Sequence, residues 1–295
     1  MSDVFVVGAL HLDVVVDAPR LPALDETLIG ERVAYRFGGK GGNQALAAAR
    51  IGAQVAMAGR VGNDGFGTIV LETLARSQVD HSQVLRVNGA TGMSVAIVES
   101  GGEYGAVVVS GVNQTIDTAE VDPGEAKIIL LQNEVPESVN LAIAKTKRPG
   151  TQIVLNAAPA RECSEALLRA VDVLVVNRIE AAQMSGQPDC DSIEAVKALA
   201  SLGPRNIVVT EGSKGAVVFD GKSSKKIPPP VQAEGSAHGA GDAFVGALAS
   251  QLATGSDLIL AVSFAATAAA HFVQTLPEAR QSITKKDLQD WIARL

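Results

Sequence analysis

The run Val173-Leu174-Val175-Val176-Asn177 shows the pattern that decides the fold, because four apolar residues are followed at once by a polar side chain. Helical stretches at 137–147, 163–170, 178–185 and 192–202 separate this run from similar ones. The similar runs are Ile128–Gln132 before Asn133 and Glu134, Gln152–Leu155 before Asn156, and Ile207–Val209 before Thr210 and Glu211. Short buried strands that alternate with helices indicate repeated βα units. The sequence therefore predicts an α/β fold with a central, mostly parallel sheet flanked by helices.

Polar residues follow each of these predicted strands, and the carboxyl ends of parallel strands meet at one edge of a sheet. Ligands of open α/β folds bind in the crevice at that edge. Asn after a strand is also a common helix N-cap, so each polar residue taken alone has two readings. Because four strands end in this way at the same edge, the pattern favours ligand binding over capping alone, and we call this row of polar residues the polar rim.

A second stretch, Gly239-Ala240-Gly241-Asp242, opens a predicted helix. The two glycines allow a tight turn in which consecutive N–H groups point into one space at the positive end of the helix dipole, which favours an anion. Asp242 in the first turn is placed to accept a proton from a hydroxyl group in the same space. These residues alone leave two readings open, an anion hole beside a general base or ordinary helix capping.

A glycine-rich run, Gly38-Gly39-Lys40-Gly41-Gly42-Asn43-Gln44, lies between a strand-like stretch and a predicted helix. It lacks the Gly-Lys-Ser/Thr end of a Walker loop and the later acidic residue of a dinucleotide site. Its close backbone approach beside Lys40 and Asn43 suits a polyhydroxylated ligand. Upstream, His11 and Asp13 share one face of an extended stretch, either as ligand-binding residues or as ordinary surface residues.

The β-rich segments at about 12–18, 27–37 and 91–110 do not follow the regular βα pattern. We expect them to form a small sheet that projects from the body, with a hairpin turn at Gly101-Gly102. Such a sheet fits a lid over a site and a surface for a homodimer. We therefore expect residues 1–295 to form a single domain, with the lid strands inserted at those three positions.

The composition excludes several classes of protein. Hydrophobic residues make up 47% of the chain but aromatic ones only 3%, as in parallel sheets covered by helices. The net charge of −7 argues against nucleic-acid or membrane partners, and no run reaches the ~20 apolar residues of a membrane span. Two cysteines, Cys163 and Cys190, give no disulfide framework and no metal-ligand spacing. Because the N-terminus lacks a signal-peptide pattern, we expect a cytoplasmic protein.

Taken in order along the chain, these motifs resemble the ribokinase family, also called the PfkB carbohydrate kinases. The resemblance is carried by Gly8 through Asp13, Gly38 through Ala45, Glu134, Asn156 through Arg161, Asn177 with Glu180, Thr210 through Gly215, and Gly239 through Asp242. The motifs span nearly the whole chain, so together they are highly specific. The resemblance implies a ribokinase-like sheet with a small β lid that closes over a sugar and often forms a dimer contact.

The resemblance also implies roles for individual residues. Asp242 matches the catalytic base, and the amides of Gly239, Ala240 and Gly241 match the anion hole. The sugar is bound at positions matching His11, Asp13, Gly39, Lys40, Asn43 and Glu134. ATP is bound at positions matching Asn177, Thr210, Gly212, Ser213 and Gly215, with His238 beside them. Asn177 and Glu180 match the residues that organise Mg²⁺, largely through water.

Two departures from the family pattern bear on function. Family members have Asp-Thr-Thr or a close variant where this chain has Ser236-Ala237-His238, and that Asp belongs to a monovalent-cation site. A hydroxyl in place of a hard anionic ligand predicts weak or absent dependence on K⁺, unless Glu278 supplies a substitute oxygen. His11 stands where the family pattern has an Asn that binds the sugar. An imidazole donates a hydrogen bond at one nitrogen and accepts one at the other, so the pattern of sugar hydroxyl groups that it binds can differ. For His238, stacking on ATP and simply filling space both stay open.

We therefore expect an ATP-dependent kinase that phosphorylates the primary hydroxyl of a pentose, with D-ribose as substrate and ribose 5-phosphate as product. An alternative is a kinase of the same family that acts on a nucleoside or another sugar. From a different class, the chain would be a catalytically silent sugar- or nucleotide-binding protein, although such a protein has no use for a base beside an anion hole.

Overall fold

The computed structural model describes residues 2–99, 104–187, 190–277 and 279–294. The strands are β1 Val4–Val7, β2 His11–Ala18, β3 Arg32–Gly38, β4 Val55–Gly62, β5 Asp80–Val87, β6 Met93–Glu99, β7 Tyr104–Val109, β8 Ile128–Gln132, β9 Gln152–Asn156, β10 Val173–Asn177, β11 Asn206–Thr210, β12 Ala216–Phe219 and β13 Ser224–Ile227. The helices are α1 Lys40–Arg50, α2 Gly65–Arg76, α3 Glu137–Lys145, α4 Glu165–Ala170, α5 Arg178–Ser185, α6 Ser192–Ser201, α7 Ala240–Ala253, α8 Leu258–Gln274 and α9 Lys285–Ile292.

The central sheet runs in the order β13-β12-β11-β10-β9-β8-β1-β4-β5. Neighbouring strands from β11 to β5 are parallel, whereas β12 and β13 pair in antiparallel fashion at one side. This arrangement confirms the predicted α/β fold with a mostly parallel sheet flanked by helices. Gln132 pairs with Asn156, and Asn177 pairs with Thr210. The polar strand ends therefore lie side by side at one edge of the sheet.

The core lies on both faces of the central sheet because successive residues of a buried strand point to opposite sides. In β8, Ile128 and Leu130 pack with residues of α1, α7 and α8, whereas Ile129 and Leu131 pack with residues of α3 to α6. Full burial of each such side chain contributes roughly 1.5–3 kcal/mol. The alanine-rich helix α8 packs against α7, as expected for a core helix.

The small sheet has the order β3-β2-β6-β7, with β2 and β6 parallel and the outer pairs antiparallel. β3 begins at Arg32, so residues 27–31 of the predicted lid strand lie outside it. The predicted hairpin turn at Gly101-Gly102 lies outside the described residues. Several apolar side chains of this sheet are more than half exposed: Val33, Tyr35, Val107 and Val108. Its function as a lid and as a dimer surface stays a prediction.

The edge strands Asp80–Val87 and Ser224–Ile227 are not indicated by the sequence pattern. Both are rich in polar residues, and each contains a single buried residue, Val84 in the first strand and Ile227 in the second. A strand at the edge of a sheet buries little of its surface, so it lacks the continuous apolar run of the central strands. Among the described helices, none combines the length and apolar character that a bilayer crossing requires.

Candidate active site

Asp242 lies in the first turn of α7, directly after a sharp bend in the chain. Gly239, the N-cap of this helix, has φ 82°, a left-handed conformation that glycine adopts without steric cost. The Asp242 carboxylate is half-buried and accepts hydrogen bonds from two amide side chains of α1. Gln44 Nε2 lies 2.9 Å from Oδ1, and Asn43 Nδ2 lies 3.3 Å from Oδ2. The first turns of α1 and α7 therefore meet at this carboxylate.

Gln44 connects Asp242 to the edge of the central sheet. Its Nε2 also donates to Asn156 Oδ1 at 2.9 Å, and its Oε1 accepts from Gln132 Nε2 at 2.9 Å. Gln132, Gln44 and Asn156 are all buried, and hydrogen bonds at both ends of the Gln44 amide fix its direction. None of the three was predicted as a site residue. Their signals were present, because Gln44 belongs to the glycine-rich run and Asn156 to the polar rim.

A cleft of about 120 Å³ opens beside Asp242 at the carboxyl ends of the strands. The structure brings several predicted site residues together in its wall: Lys40, Asn177, Glu180, Thr210, Gly239, Gly241 and Asp242. A larger cavity of about 580 Å³ is lined by Arg161, Cys163 and Met184 among others, and holds none of the predicted site residues. We take the smaller cleft as the active site because it contains the general-base candidate and the helix N-terminus.

The amides predicted to form the anion hole differ in their present hydrogen bonding. Gly239 and Gly241 line the cleft at the start of α7, a helix of 14 residues whose positive dipole end faces this space. The Ala240 N–H donates to the carbonyl oxygen of Ala237 at 3.0 Å. Participation of Ala240 in an anion hole would therefore require this bond to be exchanged, and its role stays a prediction.

Asn177 and Glu180 form a capping box at the start of α5. Asn177 Oδ1 accepts from the Glu180 N–H at 2.8 Å, and Glu180 Oε2 accepts from the Asn177 N–H at 2.8 Å. Both residues also line the cleft, so the capping reading and the ligand-binding reading are compatible. Burial raises the pKa of Glu180, partly offset by the Asn177 N–H and by the charge of Lys40. A cation in the cleft would favour its ionised form.

The donor set in this part of the cleft fits a water-coordinated Mg²⁺ ion. Mg²⁺ retains several waters and binds through one or two carboxylates together with substrate phosphates. Glu180 supplies one carboxylate at the cleft. Over the described part of the chain, no group of three or more His, Cys, Asp or Glu side chains is arranged to hold a metal ion. The cleft therefore suits an ion bound mainly through phosphate and water rather than a resident metal centre.

The predicted sugar-binding residues surround the start of α1. Gly39 is the N-cap of this helix with φ 83°, and a Cβ atom there would lie 2.5 Å from the carbonyl oxygen of Ala9. Asp13 lies on β2 and accepts a hydrogen bond from Ser94 Oγ at 2.6 Å. Ser94 was not predicted, because only the fold brings β6 beside β2. Lys40 donates its backbone N–H to Glu134 Oε2 at 2.6 Å.

His11 is 4% exposed and begins β2 opposite Gly38. Its Nε2 atom is buried, with no hydrogen-bond partner among the described residues. Burial lowers the pKa of His11, with a smaller opposing effect of Asp13, so the imidazole is neutral at pH 7. A buried polar atom left unpaired is costly, which is consistent with a ligand that supplies the partner.

The remaining predicted nucleotide-binding residues lie beyond the cleft wall. Gly212 and Ser213 are exposed in a short 3₁₀ turn after β11, and Gly215 has φ 91°. A Cβ atom at Gly215 would lie 2.1 Å from the Ile227 carbonyl oxygen, so a close approach of β13 requires glycine there. His238 is exposed, and its charge lowers the pKa of Asp242 slightly. The nucleotide contacts of these residues stay predictions.

Burial raises the pKa of Asp242 above its usual value. The charge of Lys40 and the hydrogen bonds from Gln44 and Asn43 oppose this shift by favouring the carboxylate. A general base is most effective when its pKa lies near the working pH, so a raised pKa improves the match. The same groups that position the carboxylate therefore also favour its ionised form, which the predicted role of general base requires.

The raised pKa of Glu134 leads us to expect that the stability of the ligand-free protein depends on pH. Burial raises its pKa from 4.5 to about 7, against the opposing effects of the Lys40 N–H and charge. Its stabilising contribution is therefore fully present below pH 4.5 and is lost as the pH rises through 7. The loss is roughly 3 kcal/mol of unfolding free energy.

Urea unfolding across this pH range, with and without Glu134→Gln, tests the prediction. Gln keeps an acceptor for the Lys40 N–H but does not ionise, so the variant is expected to lose less stability as the pH rises. Equal pH slopes for the two proteins would contradict the assignment.

Comparisons with known proteins agree with this geometry. A family profile described as pfkB family carbohydrate kinase matches residues 1–283. The chain is 33% identical to a ribokinase of Haemophilus influenzae, over 97% of this chain and 94% of the relative. It is 31% identical to a deoxyribokinase of Salmonella typhi, over 92% of each. A solved Arabidopsis thaliana ribokinase, complexed with ribose and ATP, is 29% identical, with a TM-score of 0.89 and 98% of each chain covered.

The predicted resemblance is therefore confirmed over nearly the whole chain. Membership also agrees with the cleft, where a carboxylate and a helix N-terminus face the ends of a parallel sheet. The chain belongs to the pfkB family of carbohydrate kinases, and it is an ATP-dependent carbohydrate kinase.

Proposed function

We propose that this kinase transfers the γ-phosphoryl group of ATP to the primary hydroxyl of a pentose, converting D-ribose to ribose 5-phosphate. One observation carries the proposal. The Asp242 carboxylate, held by Asn43 and Gln44, shares a cleft with Gly239 and Gly241 at the N-terminus of α7. Phosphoryl transfer to an alcohol needs a proton acceptor and a site for developing negative charge, and both are present.

Each group has a defined part in the proposed reaction. Asp242 accepts the proton as the O5–H bond breaks and the new O5–P bond forms. The electron pair of the breaking P–O bond leaves with ADP. The transition state is loose, with charge spread over the equatorial phosphoryl oxygens, so the amides at the start of α7 act mainly by stabilising that charge.

Lys40, Asn177, Glu180 and Thr210 complete the proposed ATP side of the cleft. The Lys40 ammonium group supplies positive charge beside Asp242 and Glu180, as its effect on both pKa values indicates. Bound Mg²⁺ would neutralise phosphate charge in this region. We place Gly212, Ser213, Gly215 and His238 at the outer part of the nucleotide site, beyond the transferring phosphate.

Ribose is proposed because the sugar side offers several hydrogen-bonding groups close together: His11, Asp13, Asn43 and Glu134. A relative named deoxyribokinase is about as similar to this chain as the ribokinase is, so identity alone does not separate the two substrates. The unpaired Nε2 of His11 also supports a kinase of another sugar or of a nucleoside, since an imidazole reaches different hydroxyl groups from the Asn of the family pattern.

ADP release over a panel of pentoses, 2-deoxyribose, hexoses and nucleosides tests the proposal. We expect kcat/KM to be highest for D-ribose. If Nε2 of His11 pairs with a sugar hydroxyl, the analogue that lacks this hydroxyl is disfavoured by roughly 10- to 100-fold, because a buried polar atom loses its partner. In His11→Ala that discrimination is expected to collapse.

The other outcomes of the panel separate the alternatives. A nucleoside or another sugar as best substrate would replace ribose while keeping the mechanism. Binding of sugar and ATP without ADP release would indicate a catalytically silent protein. A homodimer through the small sheet, supported by its exposed Val33, Tyr35, Val107 and Val108, and a cytoplasmic location remain part of the proposal.

A further inference from the structure

Arg280 is a buried arginine close to the start of α7. It is 7% exposed and lies in a short 3₁₀ turn after α8. Its guanidinium carbon lies 4.6 Å from the centre of the Phe272 ring, which covers one face of the group. Burial and the Phe272 ring hold the guanidinium group in one position. The group remains charged at any physiological pH, so it places a fixed positive charge there.

The Arg280 guanidinium donates to four backbone carbonyl oxygens from two segments. Nη2 lies 2.7 Å from Ser236 O, and Nη1 lies 3.2 Å from His238 O. Nε lies 3.1 Å from Thr275 O, and Nη2 lies 3.2 Å from Val273 O. One segment, 236–238, immediately precedes Gly239, and the other is the C-terminal end of α8.

The end of α8 suits a positive charge. The last carbonyl groups of a helix lack intrahelical partners, and the helix dipole places partial negative charge there. By bonding to both segments, Arg280 ties the loop before α7 to the rigid end of α8. Ser236, Ala237 and His238 are all exposed, and the loop is otherwise held by local hydrogen bonds, from the His238 N–H to Ser236 Oγ at 3.4 Å and from the Ala240 N–H to the Ala237 carbonyl oxygen at 3.0 Å.

The bond to His238 also sets the direction of an amide at the cleft. A peptide unit is planar and trans, so the His238 carbonyl group and the Gly239 N–H point in opposite directions. With the carbonyl oxygen fixed by Arg280, the Gly239 N–H points away from the guanidinium group. Gly239 lines the cleft, and as a glycine it has more backbone freedom than any other residue, so a fixed neighbouring carbonyl group limits the directions its N–H can take.

The same observation bears on the monovalent-cation site expected from the family pattern. Ser236 supplies no carboxylate, and its carbonyl oxygen is already bonded to a guanidinium group. A second cation among these carbonyls would be repelled by Arg280 at close range. The residues present therefore do not fit a bound K⁺ ion. Glu278, the substitute oxygen considered from the sequence, lies outside the described residues.

We propose that Arg280 is a positioning residue for the anion hole. Its guanidinium group aligns the Gly239 amide and takes the place of a bound K⁺ ion, so activation by K⁺ is unnecessary. The inference rests on the proposed function for the identity of the anion, a phosphoryl group in transfer. Wild-type ADP release on the best substrate must first be established, so failure of the proposed function is recognised before Arg280 is tested.

Three measurements test the role of Arg280. Wild-type kcat is expected to change less than about twofold when K⁺ replaces Na⁺ at constant ionic strength, since a site filled by a guanidinium group has no need of the ion. Arg280→Ala is expected to lower kcat by about 10²-fold, the cost of a misplaced catalytic group, with little change in the KM for sugar. Added ethylguanidinium, at concentrations that do not unfold the protein, is expected to restore part of kcat.

Arg60→Ala is the matched control, because Arg60 is also buried and pairs with Glu120 outside the cleft. It is expected to lower stability but to keep kcat, with no response to ethylguanidinium. If Arg280→Ala does not fold, Arg280→Lys replaces it, and its ammonium group, which cannot span four carbonyls, is expected to lower kcat at an unchanged sugar KM.

Two results would overturn the proposal. One is strong activation of the wild-type enzyme by K⁺. The other is a folded Arg280 variant whose kcat equals that of the wild type, or whose loss of kcat no cation reverses.

Discussion

Asp242→Asn is expected to lower kcat by roughly 10²- to 10⁴-fold, the usual contribution of a general base. An amide cannot accept the proton of the sugar hydroxyl. It also presents an NH₂ group where Asn43 and Gln44 now donate to a carboxylate, so one of those hydrogen bonds is lost. The binding of sugar and ATP is expected to remain largely intact, because neither depends on proton transfer.

Steady-state ADP release gives kcat and KM for this variant, and calorimetry gives the affinity for ATP. Asp257→Asn is the matched control, because Asp257 is the N-cap of α8 and Asn caps a helix equally well. It should leave kcat within about twofold. If Asp242→Asn retains more than a tenth of wild-type kcat, Asp242 is not the general base.

Gly246→Ala is expected to destabilise the fold and to reduce activity indirectly. Gly246 lies where α7 crosses α1, and a Cβ atom there would lie 2.6 Å from the Gln44 carbonyl oxygen and 2.6 Å from Ala47 Cβ. Backbone atoms cannot rotate away, so α1 must shift. Ala favours a helix over Gly by about 1 kcal/mol, but overpacking of this kind costs typically 1–3 kcal/mol.

The shift of α1 also reaches the Asp242 carboxylate, because Gln44 donates a hydrogen bond to it. We expect a net loss of unfolding free energy and a fall in kcat of roughly tenfold or more. Urea unfolding and ADP release measure the two effects. Gly65→Ala is the control, since a Cβ atom at the start of α2 meets nothing within 4 Å. A Gly246→Ala protein as stable and as active as Gly65→Ala would refute this coupling between packing and catalysis.

The sequence predicts the buried part of the fold well because burial leaves a local signal. Ile128–Gln132 and Val173–Asn177 are apolar runs of strand length, and the structure contains both as central strands. β5 carries no such signal, because its position at the sheet edge buries only one residue fully. For β3, the start at Arg32 depends on pairing with Asp17, which local sequence does not encode.

The candidate site is predictable where one segment supplies both the geometry and the chemistry. Gly239–Asp242 is such a segment, since a helix start supplies amides and a carboxylate together. Gln44 and Asp242 are 198 residues apart, and their hydrogen bond arises only from the crossing of α1 and α7. Arg280 was missed for the same reason, because its four acceptors are backbone carbonyls, which every residue possesses and no side-chain motif marks.

In the proposed reaction, the amide network around Asp242 limits the routes by which this carboxylate can lose its proton after each turnover. The side chains of Asn43 and Gln44, which contact the carboxylate, are neutral amides without a titratable proton. They hold the base in place but offer no relay into the protein interior. In the proposed reaction we therefore expect the proton taken from the sugar to leave through the mouth of the cleft, which also admits and releases the sugar. We thus expect deprotonation of Asp242 and release of the product to use the same opening.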